Sequence, residues 1–590
     1  MEKTPMSPTD ILRAIAIFLV LVASGFQPAI AQQSGGFAII NVDVIPMDTE
    51  RVVKNQVVIV ENGVIQSISD TAATTVSAEL AQVDGSGRYL VPGLADLHVH
   101  LRHEDELVNY LAWGVTTVMH LGGSGESGVR QIKYRDEIRA GTRLGPNIYT
   151  TDRILDGDPA IATGAYSVSS EDDARRIVRN LNDNGYDFVK IYNNVSQPVF
   201  DAIVDEARLQ GLPVFGHIPR NFDPLAALSS GQNAVAHTEE LFFTYFNGPR
   251  STENMIRDYE PDMGKLPALI GVLQANNVAL MPDLCFTFGN LLMWDSLDHL
   301  WGDPEFAYLH PNTASMWRGG NINRRAEIEN FILRGQWKYN LLQSLTLEFQ
   351  KAGILQVIGT DASLPGLYPG KAAHRELTEL VKAGLSNFEA LSIGSRNAGE
   401  FVRRYIDKDV RFGQVLPGYR ADLVLLDTNP LDDIRGARTV RGVAVNGRYL
   451  DRSELEQRRA NLKHRYGVLS ALNEEVDAGL DTQDVYVAVR NIVDAHRGDS
   501  EAEGTIESRV NAAGYAAGFA GDLERAKYLL ELNTELFPES ANAWDSLGEI
   551  TLYLGDEDRA IDLYKKALEI DPGFTNAAEQ IEAIQNEIDQ

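Results

Sequence analysis

Short β-branched runs open the patterned part of the chain: Ala38-Ile-Ile40, Val42 to Ile45 and Val57-Val-Ile-Val60, the last broken by Glu61-Asn62-Gly63. Asn-Gly supplies the left-handed positions of a tight turn, so residues 37 to 68 read as a hairpin. Similar runs return at Ala421-Asp-Leu-Val-Leu-Leu426 and Val443-Ala-Val445, before Asn446-Gly447. A small composite β-sandwich built from 37–92 and 408–452 is expected. Between its halves, apolar runs alternate with helical stretches such as Glu171 to Asn184 and Pro198 to Gln210, which Gly185 and Gly211 terminate. Eight strands are predicted: Ala95 to His100, Thr116 to Leu121, Asn147 to Asp152, Phe188 to Tyr192, Pro213 to Ile218, Ala234 to Glu239, Val278 to Leu284 and Leu355 to Ala362. Strand–helix alternation makes a parallel sheet, and eight such strands close a (β/α)8 TIM barrel over residues 93–407.

From 286 to 337 the barrel pattern is interrupted by a segment longer than an ordinary βα loop, holding Trp294, Trp301, Trp317 and Trp337. It reads as a lid over an apolar substrate group or as a helical subdomain with its own core. After about residue 453 only helical patterns remain, so the tail to 590 is all-α. Gly514 and Gly548, Ala526 and Ala560, and Pro538 and Pro572 recur 34 residues apart. With Trp544, Leu547, Tyr564 and Ala567 in the second copy, the stretch 507–574 resembles tetratricopeptide (TPR) repeats, although Val510 stands where the first copy needs Trp. That resemblance implies a protein partner or self-association through the tail.

Length and charge narrow the class. At 590 residues, two or three structural units are expected. A net charge of -30 repels phosphate backbones and anionic headgroups, which argues against nucleic acid and membrane-surface partners. One cysteine, Cys285, excludes an internal disulfide and the Cys-rich zinc patterns, so any metal must be held by His, carboxylate or modified Lys. At the N-terminus, Lys3 and Arg13 precede the apolar run Ala14 to Ala23 and the small-residue site Ala29-Ile30-Ala31. These are the parts of a secretory signal peptide over residues 1–31, too short in its apolar part to span a bilayer. Cleavage near Ala31 would leave a periplasmic or secreted chain without a membrane insertion.

The candidate chemistry begins with Asp96-Leu97-His98-Val99-His100 at the end of the first barrel strand. Residues i and i+2 of a strand face one way, and convergent imidazoles suit a borderline metal such as zinc. A lone HxH is weak evidence; its setting makes it specific. Val91-Pro-Gly-Leu-Ala-Asp-Leu-His-Val-His100 is similar to the first-strand signature of the amidohydrolase superfamily, and Gly114-Val-Thr-Thr-Val118 to the start of its second strand. Leu416 to Asp427 and Val443 to Gly447 resemble its return strands, so the likeness spans about residues 37 to 455.

The resemblance implies two divalent ions, zinc by preference, held by His98, His100, Lys190, His217, His237 and Asp361. Lys190, inside the apolar strand Asp187-Phe-Val-Lys-Ile-Tyr192, would carry a CO2-derived carbamate bridging them. The amine reacts with CO2 only when neutral, a form that burial beside cations favours. Asp361, in Val357-Ile-Gly-Thr-Asp-Ala362, could be no more than a helix N-cap. In the family a carboxylate at this position takes the proton of the attacking water and returns it to the leaving amine. His120 reads as a substrate or scissile-carbonyl contact or as a structural residue, and Tyr192 as an oxyanion donor or a packed aromatic. Intact Lys190 and Gly145-Pro-Asn-Ile148 look most like the Xaa-Pro-dipeptidase and ochratoxin-amidase branch. The expected substrate is a small amide, a dipeptide or an N-acyl amino acid. Lactone, ester, phosphoester or cyclic-amide hydrolysis, or a TPR scaffold with a vestigial barrel, are the alternatives.

Overall fold

Asn62 and Gly63 adopt φ of 53° and 72°, the paired left-handed geometry that lets Val53–Glu61 fold back on Val64–Asp70. Asn446 and Gly447 repeat it between Val440–Val445 and Arg448–Asp451. These hairpins are the two ends of one eight-stranded sheet. Its order runs Arg448–Asp451, Val440–Val445, Leu423–Leu426, Tyr89–Pro92, Phe37–Val44, Val53–Glu61, Val64–Asp70, with Ala81–Asp84 parallel to Phe37–Val44. The period of two splits each strand between two cores. Leu423 and Leu425 join Ile39, Val58 and Leu90 in the sheet's own core. Val424 and Leu426 face the other way, into a core shared with Leu107, Leu111 and Leu391 of the barrel helices. Residues from both sides of the barrel segment thus form a single β-unit, as the two hairpin signals imply.

The structure is a computed structural model that describes residues 36–123, 127–250, 259–295, 298–321, 328–476 and 482–588. The leader expected at 1–31 lies outside them. Among the described residues no helix is long and apolar enough to cross a membrane.

The parallel strands Leu94–Val99, Val115–His120 and Asn147–Thr150 form one sheet; Val189–Ile191, Val214–Gly216, Gln232–Val235 and Ala279–Leu280 lie consecutively in another. Backbone hydrogen bonds close the circle. Asp187 N–H donates to Thr150 O at 2.9 Å on one side, and on the other residues 355–362 bridge the last strand to the first through Val357 N–H to Leu280 O and Leu97 N–H to Ile358 O. Helices Glu171–Asp183 and Gln197–Gln210 cover the outside, each started by a serine and the second ended by Gly211 at φ 74°. The barrel interior is filled by Ala95, Leu97, Met119, Phe188, Phe215 and Met281. Two residues beyond Phe188 comes Lys190, and two beyond Phe215 comes His217, so a polar layer sits on the apolar one.

Several strands are shorter than their apolar runs suggest. The seventh keeps only Ala279–Leu280, because Pro282 lacks an N–H and Asp283 turns to φ 55°. The eighth is held by isolated bridges, since Gly359 and the left-handed Asp361 at φ 60° interrupt its ladder. The tryptophan-rich segment is helical, with Leu284–Asp295, Asp298–Trp301, Pro304–Tyr308, Pro311–Asn321 and the start of Ile328–Lys351, and Trp337 packs against the apolar cluster of the barrel helices.

The chain divides into two units. One comprises residues up to Trp301 with Asn323–Leu455; the other comprises Gly302–Ile322 with Glu456–Gln590. In the second unit, Leu523–Leu536 and Glu557–Ile570 begin and end 34 residues apart, and Asp522 and Asp556 cap them identically. A Cβ on Gly514 would meet Leu530 at 2.7 Å, and one on Gly548 would meet Tyr564 at 2.9 Å, so each glycine lets paired helices approach. The 34-residue spacing is therefore a repeat of helical hairpins.

Candidate metal centre

Three imidazoles are hydrogen-bonded through Nδ1, and the Nδ1 of a fourth lies against a carboxylate. His98 Nδ1 lies 3.2 Å from Ala236 O and His100 Nδ1 2.7 Å from Gly122 O. His217 Nδ1 lies 2.9 Å from Glu240 Oε1, and His237 Nδ1 pairs with Asp283. An Nδ1–H given to an acceptor leaves the Nε2 lone pair open, the arrangement of metal-ligating histidines. Three of those Nε2 atoms close on Asp361: His100 at 2.9 Å and His98 at 3.4 Å from Oδ1, and His237 at 3.7 Å from Oδ2. Ring centroids step from His100 to His98 at 5.4 Å, to His237 at 4.5 Å and to His217 at 4.7 Å. Burial pushes His98 well below the usual imidazole range, His217 below it, and His237 down to about 3, so all three are neutral near pH 7 and able to ligate.

Lys190 is fully buried, and its Nζ has no hydrogen-bond partner. Burial lowers its pKa to about 8, against the pull of Asp361, Asp283 and Glu240. A desolvated amine without a partner, amid neutral imidazoles and carboxylates, fits a carbamate that turns it into an anionic oxygen donor. The donor set, four imidazoles and a carboxylate with no thiolate, fits borderline divalent ions. All six predicted ligands are therefore gathered at the carboxyl ends of the barrel strands.

Local backbone geometry holds the group together. Asp361 N–H and Thr360 N–H both donate to His98 O, at 2.8 and 3.2 Å, which joins the first strand to the eighth at the ligands themselves. A Cβ on Gly359 would stand 2.8 Å from that of His98, so only glycine permits this approach. Gly216, at φ 139°, runs so close to the fourth strand that a Cβ there would meet Ile191 O at 2.2 Å, just before His217.

The two less certain candidates are also placed beside the ligands. His120 accepts the Leu101 N–H on Nδ1 at 3.1 Å, so its proton sits on Nε2, the reverse of the four ligands, and its ring lies 6.1 Å from His100. It is a hydrogen-bond donor and not a metal ligand in this tautomer. Tyr192 packs its ring 4.1 Å from that of His217, and burial, with Asp361 and Glu240 adding to it, pushes its phenol up to about 12.

Sequence reasoning missed the residues that orient the ligands. Glu240 receives His217, Arg220 Nη2 at 2.7 Å, Arg220 Nε at 3.0 Å and Asn193 Nδ2 at 2.9 Å. Burial alone would raise its carboxyl, but His217 and Arg220 hold it well below the carboxylate range. Asp283, buried among acids, serves His237. Asp96 accepts Thr360 N–H at 3.0 Å and its hydroxyl at 2.6 Å. A usable signal existed for Asp96 alone, an acid within the otherwise apolar start of Leu94–Val99, two residues before His98.

No protein-family model matches the chain. A dihydroorotase of Trichlorobacter lovleyi is 53% identical over 45 residues, 8% of this chain; the chain spans about a tenth of the length of that curated relative. Among solved structures, a Bifidobacterium longum chain described as a prolidase superposes with a TM-score of 0.54 at 23% identity, over 73% of this chain and 99% of its own. A bottromycin amidohydrolase gives 0.58 at 21% identity, over 75% and 94%, and a Xaa-Pro dipeptidase with bound methionine gives 0.51 at 18%, over 71% and 100%. The chain shares the fold of these structures, and its candidate metal centre lies at the carboxyl ends of the barrel strands.

Proposed function

We propose that the chain is a metal-dependent hydrolase that cleaves an amide bond of a small substrate, a dipeptide or an N-acyl amino acid. The observation that carries this reading is the row of four imidazoles, three of which turn Nε2 toward Asp361, together with the unpartnered buried amine of Lys190. His98, His100, His217, His237 and Asp361, with Lys190 as a carbamate, would hold two divalent ions, zinc by donor type. When bound, such ions lower the pKa of water and polarise a carbonyl.

The chain's own groups then divide the proton work. Asp361 accepts the proton of the attacking water and delivers it to the departing amine. Tyr192 keeps its proton to about pH 12 and so donates to oxygen as negative charge develops there. His120, protonated on Nε2, holds a substrate carbonyl or carboxylate. Glu240 and Arg220 fix the ring of His217. A Xaa-Pro dipeptidase and a bottromycin amidohydrolase among the superposed structures support a peptide-like amide as the substrate class. Export behind the residue 1–31 leader and partner binding by TPR-like hairpins belong to the same proposal.

The test is turnover across dipeptides, N-acyl amino acids, lactones and phosphotriesters, before and after chelation and after zinc is restored. Amide cleavage that disappears with chelation and returns with zinc is the expected result. Selective turnover of lactones or phosphotriesters would reject the amide assignment, and chelator-resistant turnover would reject the metal.

A further inference from the structure

The helical unit carries a second group of metal-type donors. His464 lies on Arg452–Val476, His496 follows the end of Thr482–Ala495, and Asp499 caps Ser500–Phe519. One donor atom from each falls within 4.8 Å of the others. His464 Nε2 is 2.7 Å from Asp499 Oδ2, and the two imidazole centroids are 5.6 Å apart. The carboxylate is aimed by its other oxygen, which accepts the Ala502 N–H at 3.1 Å. His496 and Asp499 belong to one turn, closed by Asp499 N–H to His496 O at 3.0 Å around Gly498 at φ 88°. His464 and His496 border an open groove of about 530 Å³, also lined by Tyr308, Lys463 and Val468, which gives an ion and its waters a way in.

We propose that His464, His496 and Asp499 form a site for a divalent transition-metal ion, with zinc as the probe, that ties the turn bearing His496 and Asp499 to the helix bearing His464. Two imidazoles and one carboxylate are a zinc donor set, and the groove leaves the fourth position to water. Donors around tetrahedral zinc stand roughly 3.3 to 3.5 Å apart, from bond lengths of about 2.0 to 2.2 Å. Because one ligand lies on Arg452–Val476 and two on the turn between the next two helices, an ion bound there ties that turn to the first helix, and it stabilises the folded unit by mass action.

The test is zinc stoichiometry and zinc-dependent melting of the full chain, of His464→Gln/His496→Gln, and of Asp499→Asn. Asn caps a helix as well as Asp, so Asp499→Asn removes the anionic donor and keeps the cap. The expected outcome is about one zinc fewer in the double variant and at least ~10-fold weaker binding in Asp499→Asn, following the loss of a ligand. Zinc should raise the melting of the helical unit in the parent only. A His98→Ala/His100→Ala chain should keep this ion, which separates it from the barrel centre. Equal zinc counts in parent and double variant, or the same zinc response in both, would overturn the site and leave a plain His464–Asp499 hydrogen bond.

Discussion

Glu240 takes the Nδ1 proton of His217 at 2.9 Å while Arg220 grips the same carboxylate through Nε and Nη2, so the orientation of a metal-type histidine is fixed by an ion pair behind it. Removing the charge of such a partner weakens metal binding by about 10- to 100-fold. Glu240→Gln should therefore lose zinc affinity in that range, read by competition with a chromophoric chelator. Unchanged affinity would show that His217 needs no orienting acid.

Asp96 and Thr360 pin the eighth strand to the first, two residues from His98 and one from Asp361. Thr360→Val keeps the shape and removes the hydroxyl, leaving a buried carboxyl oxygen without its 2.6 Å donor. The expected cost is about 1–3 kcal/mol in urea unfolding of the barrel, with turnover reduced as well. A neutral outcome would mean the backbone N–H of Thr360 suffices.

Much of this centre was legible because each predicted ligand ends or interrupts an apolar strand. His98, His100, Lys190, His217, His237 and Asp361 are polar residues where the pattern demands apolar ones, and a parallel barrel brings such positions to one rim. Their supports were not legible. Glu240 lies in the first turn of Glu239–Thr244, where an acid is ordinary, and Asp283 follows a proline at a strand end. The pairings Asp96–Thr360 and His217–Glu240 join residues 264 and 23 positions apart, and only the folded barrel defines them. The repeat was legible from its 34-residue glycines, since close helix approach admits nothing larger.

Those glycines give an opposed pair of tests. Gly548→Ala gains about 1 kcal/mol of helix propensity but drives its methyl into the buried Tyr564 ring at 2.9 Å, so a net loss of about 1–2 kcal/mol is expected. Gly504, on Ser500–Phe519, has nothing within 4 Å of a Cβ, and Gly504→Ala should stabilise by about 0.5–1 kcal/mol. Chemical denaturation of the helical unit reads both. Equal effects would remove the close-packing argument.

His374 supplies an acid-sensitive element away from the metal centre. It is buried on Lys371–Lys382, with Nε2 2.7 Å from Trp113 O and no partner for Nδ1. Burial first, then Arg438, lowers its pKa from 6.5 to about 4. The unfolded chain takes up this proton first, so the stability is present above pH 6.5 and is lost as pH falls to about 4. The full effect is about 3 kcal/mol. His374→Gln should flatten this part of the stability–pH curve. An unchanged acid limb between pH 6.5 and 4 would contradict the assignment.

The central claim of the proposal is that a Lys190 carbamate would help hold two ions. The decisive measurement is the metal content of Lys190→Ala against its parent, both carrying His464→Gln/His496→Gln so that only the barrel is counted. The account predicts about two ions per chain in the parent and about one in Lys190→Ala, with amide turnover lower by several orders of magnitude. Two ions and full turnover in Lys190→Ala would contradict it.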